Sequence, residues 1–252
     1  MYVIPNLTGG LGNRLFQIYA AFGYAEKTNR KVYFHEQFIQ ENPHDEKMNI
    51  QTLFPDIPLY VDSIQDATII KEEGFPIRPS TSKIVVLQGY FQNEQFFPTK
   101  LPIPAPFQIR NFEYDEYAFL HFRRGDYLKL PKHNVPLAHF YASALKKLPK
   151  EVPLLVFSDD MKWVKQNIYK MFPFVDFNRW KFSPDGLNDI ETLSLMTQCK
   201  KGAIGSNSTF SWWGAFMGAK IVNNPCYFPA KWFSDGSITH LTAGSWIRVL
   251  LV

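Results

Sequence analysis

Apolar and polar positions alternate along the 252-residue chain in a way that predicts strands and helices in turn. Tyr2 to Ile4, Lys31 to His35 and Ile84 to Gln88 read as strands. The amphipathic stretch Leu15 to Lys27 reads as the helix joining the first two. Further on, strands are expected at Ala118 to Phe122, Pro153 to Phe157, Gly202 to Ile204 and Lys220 to Val222. Helices are expected at Leu137 to Leu148, Met161 to Phe172, Ile190 to Cys199 and Thr209 to Gly218. This order predicts an α/β fold. Pro98, Pro102, Pro104 and Pro106 crowd one short stretch that neither a helix nor a central strand could cross, so it reads as a linker. The expectation is two nucleotide-binding-like halves, residues 1–105 and 106–252, facing each other across a cleft.

With 46% hydrophobic and 20% charged residues, collagen-like, disordered and low-complexity chains are excluded. Aromatic residues at 16% predict a large core and leave rings over for stacking. The net charge of +4 favours anionic ligands mildly and is too small to indicate nucleic acid as a partner. Two cysteines, Cys199 and Cys226, cannot build a disulfide framework or a four-cysteine zinc site, and read as buried thiols. No apolar run reaches 18 residues, so no transmembrane segment is expected. The opening Met1 to Asn6 lacks the charged and apolar regions of a signal peptide, which points to the cytoplasm.

Four constellations carry candidate chemistry. In Gly9-Gly10-Leu11-Gly12-Asn13-Arg14, glycines between strand and helix let backbone N–H groups approach a phosphate at a helix N-terminus. It is not a Walker loop, because no Gly-Lys-Ser/Thr follows, and not a full dinucleotide fingerprint, because Leu15 stands where the third small residue belongs. A plain tight turn is the other reading. In His121-Phe122-Arg123-Arg124-Gly125-Asp126-Tyr127, directly after an apolar strand, two arginines supply forked donors for a diphosphate and Asp126 can hold one of them. A solvated basic turn would look the same. Phe157-Ser158-Asp159-Asp160 offers an N-cap, a metal-binding pair or a carboxylate that reads guanine through its N1 and N2 donors. In Gly205 to Ala215, small hydroxyl residues open a helix as a second anion cradle with Trp212 and Trp213 behind it, or they simply cap it. The sequons Asn6-Leu7-Thr8 and Asn207-Ser208-Thr209 each lie beside a proposed phosphate site, where a glycan would obstruct binding.

Taken in this order, these pieces resemble the α-1,2-fucosyltransferases of glycosyltransferase family 11. Gly89-Tyr90-Phe91-Gln92 and Leu195-Met196 through Cys199 add to the likeness, which spans nearly the whole chain. The resemblance implies an inverting enzyme of the GT-B type, with two Rossmann-like halves. It would use GDP-fucose and no metal or other cofactor, and transfer L-fucose to a glycan acceptor, usually at O2 of galactose. Arg14 stands where the family usually has Gln, which adds a charge beside the phosphate loop. Animal members carry a membrane anchor that this sequence does not show. A soluble bacterial or viral form is therefore expected, in the host cytoplasm if viral.

On this reading Arg123, Arg124, Asp126 and Asn13 are the catalytic candidates. Leaving-group charge needs fixed cations when no metal supplies them, and Arg123 and Arg124 are the only adjacent arginines in the chain. Donor binding falls to Gly10, Gly12, Arg14, His121, Asp159, Asp160, Asn207, Ser208, Thr209 and Phe210. Glu94 and Gln92 are acceptor-side candidates, and Glu94 is the second choice of base after Asp126. The stretches Glu36 to Lys47 and Lys129 to Pro136 are expected acceptor loops. Two other readings stay open. One is a nicotinamide-dependent oxidoreductase built on the Gly9 to Gly12 turn with Glu36 as ribose-binding acid. The other is a non-catalytic glycan- or nucleotide-binding module.

Overall fold

The computed structural model describes residues 1–41, 49–109, 112–237, 239, 241 and the backbone of 247–249. The second part of the expected acceptor loop, 42–47, lies outside these. The chain divides into two compact units, Met1–Ile109 and Arg110–Val252.

The first unit holds a four-stranded parallel sheet in the order β2-β1-β4-β3. Its strands are β1 (Tyr2–Pro5), β2 (Lys31–Val32), β3 (Thr68–Lys71) and β4 (Ile84–Gln88). Helix α1 (Leu11–Thr28) joins β1 to β2. Side chains alternate across a strand, and here both faces of the sheet are covered. Val85 and Leu87 pack with Ala20, Ala21 and Tyr24 of α1, whereas Ile84 and Val86 face Tyr33 and Tyr60.

The second unit has a six-stranded parallel sheet in the order β10-β9-β8-β5-β6-β7. Its strands are β5 (Ala118–Phe122), β6 (Leu154–Ser158), β7 (Trp180–Phe182), β8 (Gly202–Ile204), β9 (Cys226–Pro229) and β10 (Ile247–Val249). The helices are α2 (Ala138–Lys147), α3 (Met161–Met171), α4 (Asp189–Gln198) and α5 (Thr209–Met217). Every residue of the central strand β5 is buried. Leu120 and Phe122 join the core with Phe140 and Tyr141 of α2 and Val164 and Ile168 of α3. The alternation turns His121 to the opposite face, towards α5.

Several sequence expectations shift. Helix α1 begins at Leu11 rather than Leu15, so Gly12, Asn13 and Arg14 lie in its first turn. Lys220–Val222 is not the last strand but a 3-10 helix closed by left-handed Asn223 (φ 56°), and the strand follows at Cys226–Pro229. A three-residue apolar window cannot separate a tight helical turn from a strand. Strands β3, β7 and β10 went unread because all three are short and half of β3 faces solvent. Among the described residues no helix is long and apolar enough to cross a membrane.

Candidate active site

In the second unit the candidate residues gather where β5 and β6 end. Both strands run parallel in register, Phe122 opposite Ser158, so the turns after them emerge side by side. The Arg123-Arg124-Gly125 turn then meets Asp159 and Asp160 with no long side chain having to reach. Asp159 is the hub. One of its oxygens accepts the backbone N–H of Arg124 at 2.8 Å, and the other pairs with Nη1 of Arg123 at 3.0 Å. Nη2 of Arg123 pairs with Asp126 at 2.6 Å, and the Tyr127 ring lies 5.0 Å from its guanidinium. Asp160 has two partners: it caps α3 by accepting the Trp163 N–H at 3.1 Å, and it meets Nε of Arg124 at 3.3 Å.

Three carboxylates thus hold two guanidiniums. Arg123 has both terminal nitrogens in carboxylate contacts, and its side chain is 15% exposed. The Arg124 side chain is hydrogen-bonded through Nε alone, while Nη1 and Nη2 make no hydrogen bond or ion pair with the described residues. The outer fork of Arg124 is therefore open to a ligand, in the geometry that suits two phosphate oxygens. A cavity of about 220 Å³ lies beside it, lined by Phe122, Arg124, Tyr127, His133, Leu137 and Trp163 among others.

The close approach depends on Gly125. A Cβ built there would lie 2.5 Å from the Asp159 carboxylate, inside the space that Asp159 needs to reach both arginines. The same geometry removes the reading of a solvated basic turn. Asp159 and Asp160, expected as an N-cap, a metal-binding pair or a base reader, are both tied to the arginines, and Asp160 also caps α3.

His121 is 4% exposed, and its Nδ1 meets the Ser211 hydroxyl at the start of α5. Ser211 also accepts the Ser206 N–H at 3.2 Å, and the Ser206 hydroxyl lies 3.1 Å from it. Burial, with Arg123 adding to it, pushes the His121 pKa down to about 3, so the ring is neutral at ordinary pH. His121 is enclosed in this network and ties β5 to α5 from within, which makes it a positioning residue. Asn207 is likewise enclosed: its amide donates to the carbonyls of His133 and Trp232 at 2.9 and 2.8 Å. That closes the Asn207 sequon to a glycan in the folded chain. Ser208 caps α5 by accepting the Phe210 N–H, Thr209 opens that helix, and the Phe210 ring packs 6.0 Å from His121. The expected anion cradle is thus a real helix start, with its serines directed inward.

In the first unit, Gly9 (φ 74°) and Gly10 make the turn into α1. Gln92 donates to the Asn13 side chain at 2.9 Å, which brings two of the expected residues together. Arg14 is buried, its guanidinium donating to the carbonyls of Gly9 at 2.8 Å and Gln40 at 2.6 Å. It fastens the glycine turn from behind, and that replaces the donor-binding role expected of it. Gly12 is buried in the first turn of α1. The Gly89 to Gln92 turn is held by Glu72, which accepts the N–H groups of Tyr90 and Phe91 at 2.8 and 2.9 Å. Buried Phe91 is forced to φ 50°, a strained conformation for an aromatic residue. Exposed Glu94 opens a 3-10 turn (Glu94–Phe96) whose Phe96 is buried, and exposed Glu36 opens another (Glu36–Phe38). Sequence reasoning missed Glu72 and Trp163 as site residues, and read Ser206 and Ser211 only as part of an anion cradle. Trp163 carried a signal, since an N-cap at Asp160 places the residue three positions on beside it.

Residues 106–226 match the family described as Glycosyl transferase family 11. Over 140 residues the chain is 33% identical to the O-antigen biosynthesis glycosyltransferase WbnK of Escherichia coli, covering 52% of this chain and 43% of that one. The chain thus matches less than half of that relative's length. It is 25% identical to an alpha-1,2-colitosyltransferase of Escherichia coli, over 98% of each chain. Identity is also 25% to a galactoside 2-alpha-L-fucosyltransferase of Caenorhabditis elegans, over 85% of this chain and 68% of that one. Among solved structures, the fucosyltransferase NodZ from Bradyrhizobium shares the fold with a TM-score of 0.51 at 15% identity, covering 86% of this chain and 92% of that one.

Two outcomes follow from this geometry. Gly125→Ala pushes the Asp159 carboxylate off the arginines, so the chain should keep its circular dichroism spectrum but bind inorganic pyrophosphate, a probe of the open Arg124 fork, at least about tenfold more weakly, for a loss of roughly 1.4 kcal/mol or more. Calorimetric titration of both proteins checks this; unchanged affinity contradicts it. The second concerns acid stability. Unfolded His121 takes up a proton near pH 6.5, whereas the folded ring does so only near 3. Its contribution is therefore complete above about pH 6.5 and is lost progressively as pH falls towards 3. Melting temperatures recorded from pH 7 to 4 should fall more steeply for the wild-type chain than for His121→Asn, which cannot titrate.

Proposed function

We propose that this chain is a glycosyltransferase of family 11 and that it transfers L-fucose from GDP-fucose to a hydroxyl of a glycan acceptor. The observation that carries this reading is the fixed arginine pair at the end of β5, with the fork of Arg124 open beside a cavity. A galactoside 2-alpha-L-fucosyltransferase among the relatives and a fold neighbour co-crystallised with GDP support the choice of donor. The colitosyltransferase relative supports an α-1,2 linkage. We take the acceptor position to be O2 of galactose and the stereochemistry to be inverting. We further assign donor binding to the second unit and acceptor binding to the first.

The chemistry asked of the site is specific. The acceptor oxygen forms a bond to C1 of fucose while the bond from C1 to the β-phosphate oxygen breaks. Positive charge develops on the sugar and negative charge on the departing GDP. Arg124 meets that negative charge through Nη1 and Nη2. Arg123, locked by Asp126 and Asp159, fixes the turn that aims it and adds a second cation close by. Because the carboxylates hold both guanidiniums before substrate arrives, little reorganisation accompanies the charge, the condition under which such donors are most effective. The acceptor proton goes to a carboxylate, with Asp126 the first choice and Glu94 the second. The arginines act in place of a metal.

Fucose transfer from GDP-fucose to galactose-terminated acceptors, followed by mass spectrometry, tests the reading. No transfer to any acceptor, together with no binding of GDP, would remove it. Arg124→Lys keeps a charge but loses the fork, and should lower kcat by about 100-fold or more while the fold is retained. Activity should survive excess EDTA unchanged; a strict need for Mn²⁺ or Mg²⁺ would overturn the metal-free part.

A further inference from the structure

Arg124 has a third partner besides its two carboxylates. Its guanidinium carbon lies 3.3 Å from the centre of the Trp163 ring. The other cation–ring pairs among the described residues lie at 4.4 to 5.8 Å. Only at the shorter distance is the guanidinium in van der Waals contact with the ring face, where the attraction also restricts its tilt. The long, flexible Arg124 side chain is thus constrained in two ways. Asp160 fixes Nε at 3.3 Å, and the indole supports the flat side of the group.

Both constraints come from the first turn of α3. Asp160 caps the helix by accepting the Trp163 N–H, so one carboxylate sets the place of the ring and holds the arginine on it. Trp163 is itself anchored, because its partly buried ring packs against the core formed by Phe122, Tyr141, Val164 and Ile168. It also lines the cavity beside Arg124.

We propose that Trp163 is a positioning residue for the transfer reaction: its ring sets the plane of Arg124 so that Nη1 and Nη2 face the leaving diphosphate. This rests on the fucosyl-transfer reading above. Without the ring, Asp160 still holds Nε, but the guanidinium can turn about that contact and its outer fork loses a fixed direction. The loss should be greatest when charge develops on the diphosphate. It should therefore appear mainly in kcat, and less in the KM for GDP-fucose.

A double-mutant cycle tests this, using Trp163→Leu, Trp163→Phe and Arg124→Lys, with steady-state kinetics and GDP titration on each. Trp163→Leu should lower kcat about tenfold or more with a smaller change in donor KM, and Trp163→Phe should recover most of it because a ring face is restored. In the Arg124→Lys background, Trp163→Leu should add little, since the group it orients has gone. Full turnover in Trp163→Leu would overturn the proposal. So would an equal loss in both backgrounds, which would mean that the ring acts only through stability. If Trp163→Leu fails to fold, Trp163→Met, which also removes the ring face, takes its place in the same cycle and is read in the same way. Failure of the wild-type chain to bind GDP or transfer fucose would instead remove the functional reading beneath it.

Discussion

The second unit depends at its working end on one buried-edge interaction, the carboxylate of Asp159 held between the Arg124 N–H and the Arg123 guanidinium. A carboxylate with a charged partner and a backbone donor is satisfied on both oxygens, so it resists displacement. Through it the turn after β5 is fastened to the turn after β6. Once those turns are joined, Asp126 can reach Arg123 and Asp160 can reach Arg124. Gly125 makes the joint possible by leaving space where any side chain would touch the carboxylate.

A second layer supports this from the other face of β5. His121 points into the serines around the start of α5. A charged imidazole there would have no solvent and would sit near Arg123, so the ring stays neutral. From the opposite side of the strand Tyr141 donates to the His121 carbonyl at 2.9 Å, so α2 and α5 both brace the strand. The tryptophan pair of α5 completes this packing, with Trp212 and Trp213 almost fully buried and Trp212 stacked on Phe216. The motifs before and after β8 are in this sense one structure: the helix holds the strand, and the strand end presents the arginines.

The first unit uses the same economy around its glycine turn. Arg14 supplies donors to two carbonyls that a loop would otherwise leave to water, and Glu72 supplies acceptors to two N–H groups of the Gly89 to Gln92 turn. With Gln92 bonded to Asn13, the two turns that follow β1 and β4 are tied together as those after β5 and β6 are. Adjacent parallel strands end side by side, so both units arrive at this arrangement by the same route.

The sequence by itself determined the α/β class, most of the helices, the central strands and the four motif turns. Each is written locally, in periodicity, glycine placement or a run of like chemistry. Short edge strands such as β7 were not legible, because three residues carry no period and their pairing is with a strand already known. Nor was the division of labour within the motifs. Whether Arg14 meets a ligand or a carbonyl, and whether Asp159 reads a base or holds an arginine, depends on which groups lie within 3 Å, and those come from residues up to 36 positions away. Only the tertiary structure decided that, because burial makes each polar group take whatever partner the packing places beside it.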